Sequence, residues 1–210
     1  MSIQERRARE REERRDCILQ AAQAIIAEEG IEKLSVRKIA SRIEYSPSLI
    51  YHYFQDKEEI LHHLMGGVYK AILEAIAPYQ FSEEPPEEKI KASTRKYIEM
   101  ALQMPDAYKA IMLSSVPGTL AHTSILFKDA RQKRPALGML CQYLEELGWE
   151  NEEQIERTAQ VYWCATFGLI IRMITEKDLD HMQIERLIEN YLHFILGGIQ
   201  QSVTCRKEEQ

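Results

Sequence analysis

The side chains with the most evident chemistry are six histidines and four cysteines. His62 and His63 adjoin each other on a helical stretch, so their rings point in different directions and cannot chelate as an i, i+4 pair would. Glu59 stands one turn before His63, but two ligands do not make a metal site. His122, His181 and His193 are scattered. Cys17, Cys141, Cys164 and Cys205 are far apart and form no CxxC pair. They read as reduced, structural thiols in a reducing compartment, with a redox or metal role as the sharper alternative. The chain has no Gly-rich phosphate loop, no nucleophile elbow and no HExxH motif. We expect a protein that is not an enzyme and uses no cofactor and no metal.

A different chemistry is set up between Ser35 and Phe54. Ser35 can cap a short helix, on which Val36, Ile39, Ala40 and Ile43 form one apolar stripe. A break follows at Glu44-Tyr45, and Ser46-Pro47 opens the next helix as cap and first residue. Two closely crossing helices need a small residue at the crossing, and Ala40 supplies it. Ile39, Ile43, Tyr45 and Ile50 stand where the pair must lock together. Pro47, Ser48, Leu49, Tyr51 and His52 lie toward the start and outer side of the second helix, free to enter a major groove. This is a helix-turn-helix arrangement. Spacing alone leaves two readings open, a DNA-reading head and an ordinary helical hairpin within a core.

The elements that must position these residues are helical. The 210 residues are 45% hydrophobic and 29% charged, which excludes a disordered chain, a collagen-like repeat and a disulfide scaffold. Strong helix formers dominate and no convincing strand appears, so the fold class is all-α. A first helix is expected from about Glu13 to Glu29, with Gly30 after its end. Before it, residues 5–15 alternate Arg and Glu. That run reads as a solvated helix extension or a frayed arm, whose Arg-rich side could instead touch DNA phosphates or a minor groove. Asp56 can cap a helix that continues to about Ala77 and ends at Pro78. Further helices are expected at about 87–103, 105–115, 121–147, 152–176 and 181–203. Pro117-Gly118 marks one break, and Pro135 kinks or splits the segment 121–147.

Charge and hydropathy narrow the class further. No apolar run is long enough to span a bilayer, and the charged start lacks the apolar centre of a signal peptide, so we expect a cytoplasmic protein with no membrane partner. The net charge of −6 argues against a nucleic-acid binder until its distribution is read. Residues 1–57 hold 11 basic against 10 acidic side chains, while the remainder holds 16 against 23. A small basic face can bind phosphate even on an acidic molecule.

Residues 16–61 resemble the N-terminal DNA-binding domain of the TetR family of bacterial transcriptional repressors. The matching residues are Ile18-Leu-Gln-Ala-Ala22, Gly30, Ser35-Val-Arg-Lys-Ile-Ala40, Ser46, Ile50-Tyr-His-Tyr-Phe54 and Lys57-Glu-Glu-Ile-Leu61. The resemblance implies a three-helix DNA-binding domain with its arm over residues 1–56, and a helical ligand-binding and dimerisation domain over 57–210. It implies that Ser35 and Arg37 hold phosphates, and that Ser46 caps the reading helix. Pro47 and Ser48 would approach base edges or thymine methyls, and Tyr51 a base or the sugar-phosphate edge. His52, Tyr53 and Lys57 would be mainly phosphate contacts. The family commonly carries Gly in the turn, where this chain has Glu44. A positive φ there is strained, so a slightly different turn is expected. With no Arg, Lys, Asn or Gln before Gln55, the reading helix cannot make bidentate contacts to G or A. Methyl contacts, water and DNA shape are left to carry its specificity.

The C-terminal segments add their own pattern. Apolar residues nearly encircle the helix at 152–176, and the last helix has an apolar stripe too wide for one neighbour. The resemblance makes these two helices, about 152–176 and 181–203, the interface of a homodimer, with a purely intramolecular core as the alternative. Gly168, Gly197 and Gly198 would allow close approach. A pocket between central helices is expected, lined by Tyr97, Met104, Tyr108, Met112, Trp163 and Phe167, which suit an ordinary core as well. Few charges fall there, so an unidentified small-molecule effector that is mostly apolar or aromatic is expected, with Arg172 as a possible anion partner. The reading is a repressor released from a palindromic operator on double-stranded DNA by that effector. One alternative is a DNA-binding protein with no effector, such as a nucleoid or division-linked factor. Another is a helical interaction or enzyme module whose reading head has decayed.

Overall fold

In a computed structural model of the protein, residues 3–114, 117–176 and 178–207 are described. They form eleven α-helices and one short 3-10 helix, with no strand among the described residues. Packing divides the chain into two compact units, one made of residues 1–70 and 104–124, the other of 71–103 and 125–210.

The first unit holds α1 (Ile3–Glu29), a 3-10 turn (Ile31–Lys33), α2 (Val36–Arg42), α3 (Pro47–Tyr51), the first part of α4 (Lys57–Gln80), α6 (Pro105–Met112) and α7 (Pro117–Thr123). Ile18, Ala22 and Ile25 of α1 are buried with Ile39 and Ala40 of α2, Ile50 and Phe54 around α3, and Ile60 and Leu61 of α4. Ala110 and Ile111 pack against the same core, which is how α6 joins α1. Local signals set each boundary. Ser35 Oγ accepts from Lys38 N, Ser46 Oγ from Leu49 N, and Asp56 Oδ1 from Glu59 N. Gly30 adopts φ 90° and ψ 160°, a conformation essentially reserved for glycine. Two ion pairs then fasten α2 to α1. Lys38 meets Glu29, and the Arg42 guanidinium forks onto Glu28, holding that carboxyl below its usual range.

The turn between α2 and α3 is closed by Tyr45 N donating to Ala40 O at 2.8 Å and Glu44 N donating to Ser41 O at 3.4 Å. That is the hydrogen-bond pattern of a Schellman motif, whose residue after the cap must be left-handed. Glu44 has φ 56°, so the chain keeps the glycine geometry with a residue that has a Cβ. The same motif closes α9 (Pro135–Glu146), where Gly148 fills the corresponding position at φ 92°. A left-handed non-glycine residue costs about 1–2 kcal/mol, offset in part by the backbone freedom a glycine would lose. We therefore expect Glu44→Gly to stabilise the first unit by about 1 kcal/mol in chemical denaturation; a loss of stability would contradict this account of the turn.

The second unit packs α5 (Pro86–Gln103), α9, α10 (Glu152–Thr175) and α11 (His181–Lys207), with α8 (Ala130–Lys133) beside α9 and the end of α4 included. α10 buries Ile155, Ala159, Tyr162, Thr166, Ile170 and Met173, all on one side. α11 buries Ile188, Leu192, Leu196 and Ile199. Arg95 of α5 ties the two ends together by pairing with Glu185, at 2.8 Å, and Glu189 of α11.

Three expectations about elements change. α1 begins at Ile3 rather than near Glu13, because the Arg/Glu run supports helix through i, i+4 pairs such as Arg6–Glu10 and Arg9–Glu13. Pro78 does not end α4; it lies in the last turn, and the helix runs on to Gln80. The segment 121–147 is α7, an irregular stretch, α8 and α9, with Pro135 as the first residue of α9, a position that needs no amide proton. Residues 115 and 116, within or beside two expected elements, lie outside the described residues, as do the side chains of His122 and Cys205.

Candidate functional site

The nine residues expected to meet DNA sit at α2, α3 and the start of α4. Arg37, Ser46, Pro47, Ser48, Tyr51 and His52 are exposed; Ser35, Tyr53 and Lys57 are half-buried. None is a buried core residue, although Tyr53 packs against the core of the first unit. Tyr51 is the clearest, at 57% exposed for a large aromatic side chain, while its neighbour Ile50 is fully buried. Ile50 and Phe54 thus anchor one side of a five-residue helix, and the other side faces outward. The Ser35 and Ser46 oxygens accept capping bonds, which leaves each hydroxyl proton free to donate to a phosphate. Of the three basic residues on α2, Lys38 and Arg42 are engaged by α1, and Arg37 has no partner among the described residues. The electrostatic work on this helix therefore falls to Arg37.

Tyr53 is held from the side. The Arg14 guanidinium hydrogen-bonds its ring hydroxyl, which raises the arginine further above its ordinary value. Arg15 lies 4.8 Å over the Phe54 ring and bonds His63, whose Nε2 is 3.8 Å from Glu59. No group of three His, Cys, Asp or Glu side chains able to hold a metal ion occurs among the described residues.

The second unit contains a cavity of about 30 Å³ between α5, α9, α10 and Ile76 of α4. Its walls include Ser93, Thr94, Tyr97, Met139, Tyr143, Tyr162, Trp163 and Thr166. Tyr97 and Trp163 meet edge to face with centroids 4.5 Å apart. Thr94 Oγ1 and the Tyr162 hydroxyl are 2.7 Å apart, and Thr166 Oγ1 and the Tyr191 hydroxyl are also 2.7 Å apart. Burial raises both phenols, Tyr191 to about 12. Two wall atoms, the Tyr143 hydroxyl and Trp163 Nε1, are buried without a hydrogen-bond partner among the described residues. Such orphans are uncommon, and each is costly unless something else satisfies it.

Of the six residues expected to line a pocket, Tyr97 and Trp163 are wall residues and Phe167 is not. Tyr108 and Met112 lie on α6, with Met104 as the residue that precedes it; α6 packs on α1 in the first unit, and none of the three is at this cavity. The hydroxyl-bearing walls Thr94, Tyr143, Tyr162 and Thr166 were not singled out from sequence. The i, i+4 pair Tyr162 and Thr166 on an apolar helix face was the available signal.

On the sides of α10 and α11 away from the core, large apolar side chains stand exposed among polar ones such as Arg157, Asn190 and His193. Val161 is 66% exposed, Met182 62% and Phe194 78%. Cys164 is exposed on the same side of α10 as Val161. Among the described residues, an added Cβ at Gly168, Gly197 or Gly198 would meet nothing within 4 Å. Arg172 bonds Glu176 at the exposed end of α10, the pairing alternative to an anion site. No helix among the described residues is long and apolar enough to cross a membrane.

Residues 18–64 match the model of the bacterial regulatory proteins of the tetR family. No curated protein matches the chain. Among solved structures, a TetR-like transcriptional regulator from Rhodococcus sp. RHA1 aligns with TM-score 0.64 and 16% identity, over 87% of this chain and 95% of that one. A TetR/AcrR-family transcriptional regulator from Thermobifida fusca aligns with TM-score 0.59 and 20% identity, over 89% and 98%. The fatty acid degradation regulator FadR from Bacillus halodurans aligns with TM-score 0.63 and 20% identity, over 88% and 95%. At these identities the likeness is one of fold.

Proposed function

We propose that this chain, which belongs to the tetR family of bacterial regulatory proteins by its residues 18–64, is a homodimeric repressor that binds a palindromic operator. The observation that carries the reading is the division of α3 into a buried side, Ile50, and an exposed side, Pro47, Ser48 and Tyr51. The exposed side enters the major groove, and two copies related by a two-fold axis read half-sites about one helical turn apart. Ser35, Arg37, His52, Tyr53 and Lys57 set register on phosphates, while the α3 residues read thymine methyls and groove shape. The uncovered faces of α10 and α11 form the dimer, which their exposed apolar side chains and unconstrained glycines support. Domain boundaries near 56–57 follow from the same assignment, with the helix that starts at Lys57 transmitting the effector's preference for one spacing of the heads.

An effector that is mostly apolar and carries one neutral acceptor suits the cavity. The walls hold no charged side chain, and the Tyr143 hydroxyl and Trp163 Nε1 lack partners. A cavity of about 30 Å³ admits a water or a carbonyl oxygen but falls far short of the roughly 300–1,000 Å³ of small-molecule sites. That volume favours a second reading, in which the protein regulates without an effector.

Fluorescence anisotropy on DNA from upstream of its own gene, against scrambled DNA at two salt concentrations, tests the regulator. Tight binding to the upstream DNA that survives the higher salt is expected. Equal binding to both, collapsing with salt, would leave only the non-specific phosphate term and remove that promoter as operator. Repeating the titration with saturating acetophenone, as an aromatic ketone probe, separates the two readings of the cavity. Weakened operator binding supports an effector of this class; unchanged affinity supports the effector-free regulator.

A further inference from the structure

The first 13 residues of α1 described here project beyond the core, and their charges are sorted by face. At 100° per residue, Arg7, Arg11 and Arg14 fall within an arc of about 60°, and Glu5, Glu12 and Asp16 fall on the opposite side. The basic arc has the same azimuth as Ile18 and Ile25, the residues that bury α1 against the other helices of the first unit. The projecting half of α1 therefore presents arginine where the packed half presents isoleucine. Its inner end meets the reading head directly: Arg15 lies 4.8 Å over the ring of Phe54, three residues past α3, and Tyr53 beside it raises the Arg14 guanidinium.

Pairing separates Arg7 and Arg11 from the other arginines of this stretch. Arg6 is matched by Glu10 and Arg9 by Glu13. Arg7 and Arg11 are exposed and have no partner among the described residues. We propose that Arg7, Arg11 and Arg14 form a second DNA contact, a helical arm that takes backbone phosphates flanking the base pairs read by α3. From Arg14, the helix rise carries Arg11 about 4.5 Å and Arg7 about 10.5 Å outward, spacings of about one and three base-pair steps at 3.4 Å. The contacts are to phosphate, so they add affinity and fix orientation without reading sequence. The opposite face, where Glu5, Glu12 and Asp16 lie beside Arg9, points away from the duplex. This inference rests on the reading that α3 enters the major groove.

The test compares the full-length protein with Arg7→Ala/Arg11→Ala and with Arg6→Ala/Arg9→Ala, which removes the same charge from other faces. All four positions are exposed, and alanine keeps the helix. Anisotropy on one operator duplex across a salt series gives the slope of log affinity against log salt. Loss of two phosphate contacts flattens that slope by about 2, with a fall of roughly tenfold or more in affinity at moderate salt. The ratio of operator to scrambled affinity stays unchanged. Arg7→Lys/Arg11→Lys restores the slope, and Arg6→Ala/Arg9→Ala leaves it near wild type. A wild-type slope in Arg7→Ala/Arg11→Ala overturns the arm, as does an equal drop in Arg6→Ala/Arg9→Ala, which would mark a diffuse field. Either result leaves sequence-specific binding by the wild type standing. Absence of any sequence preference in the wild type overturns the proposed function itself.

Discussion

Phe194→Glu should break the proposed dimer into single chains of 24.5 kDa while leaving each chain folded. Phe194 is 78% exposed on α11, so a carboxylate there costs the monomer almost nothing. Across a two-fold interface the same change is made twice and buries two charges without partners, which several kcal/mol of apolar contact cannot offset. Sedimentation should report the smaller species, and circular dichroism an unchanged helix content. Operator affinity should fall by two orders of magnitude or more, because each head must then bind its half-site without the high local concentration that linkage supplies. A variant that stays dimeric would move the interface away from α10 and α11. A variant that is monomeric yet binds the full operator as tightly would remove the two-fold reading.

The second large effect separates two adjacent residues. Tyr51→Ala should leave the unfolding midpoint of the protein nearly unchanged and lower operator affinity by roughly 10- to 100-fold, since its ring is exposed and its loss would remove only the proposed contact with DNA. Ile50→Ala should do the reverse. Its side chain is fully buried among α1, α2 and the start of α4, and truncation of such a residue costs about 2–5 kcal/mol. Denaturant titrations of both variants beside their DNA titrations settle the matter. If Tyr51→Ala destabilises as Ile50→Ala does, Tyr51 is part of the packing of this domain and the outward face of α3 has been misassigned. If it is stable and binds DNA normally, the docking through α3 fails.

The cavity and the interface differ in what the rest of the chain decides about them. Tyr143 and Trp163 come from α9 and α10, elements joined in sequence by a short turn that Gly148 closes, and their unpartnered atoms exist only because those helices pack together. By contrast, the exposed apolar stripe of α11 is visible in its periodicity, but whether Phe194 or Leu192 faces the core depends on how α11 lies on α5. Leu192 is 3% exposed and Phe194 78%. The expectation of apolar residues around most of α10 resolves the same way, into one buried side and one uncovered side.

What the sequence determined by itself was local. Ser35, Ser46 and Asp56 cap the helices expected of them, because a cap involves a side chain and an amide three residues away. The helix-turn-helix was legible for the same reason, its spacing being set within 20 residues. Glu44 marks the edge of that legibility. Its side chain argued against a left-handed turn, and packing of Ile39, Ala40 and Ile50 imposed one at φ 56°. The tertiary structure alone decided the rest. Met104, Tyr108 and Met112 have the composition of pocket residues, yet α6, which starts 76 residues after α1 ends, returns to pack on it, while Thr94 and Tyr143 stand at the cavity instead. Composition states what a helix face can bury; which distant helix it is buried against follows from the joint packing of all of them, and no window of sequence contains that choice.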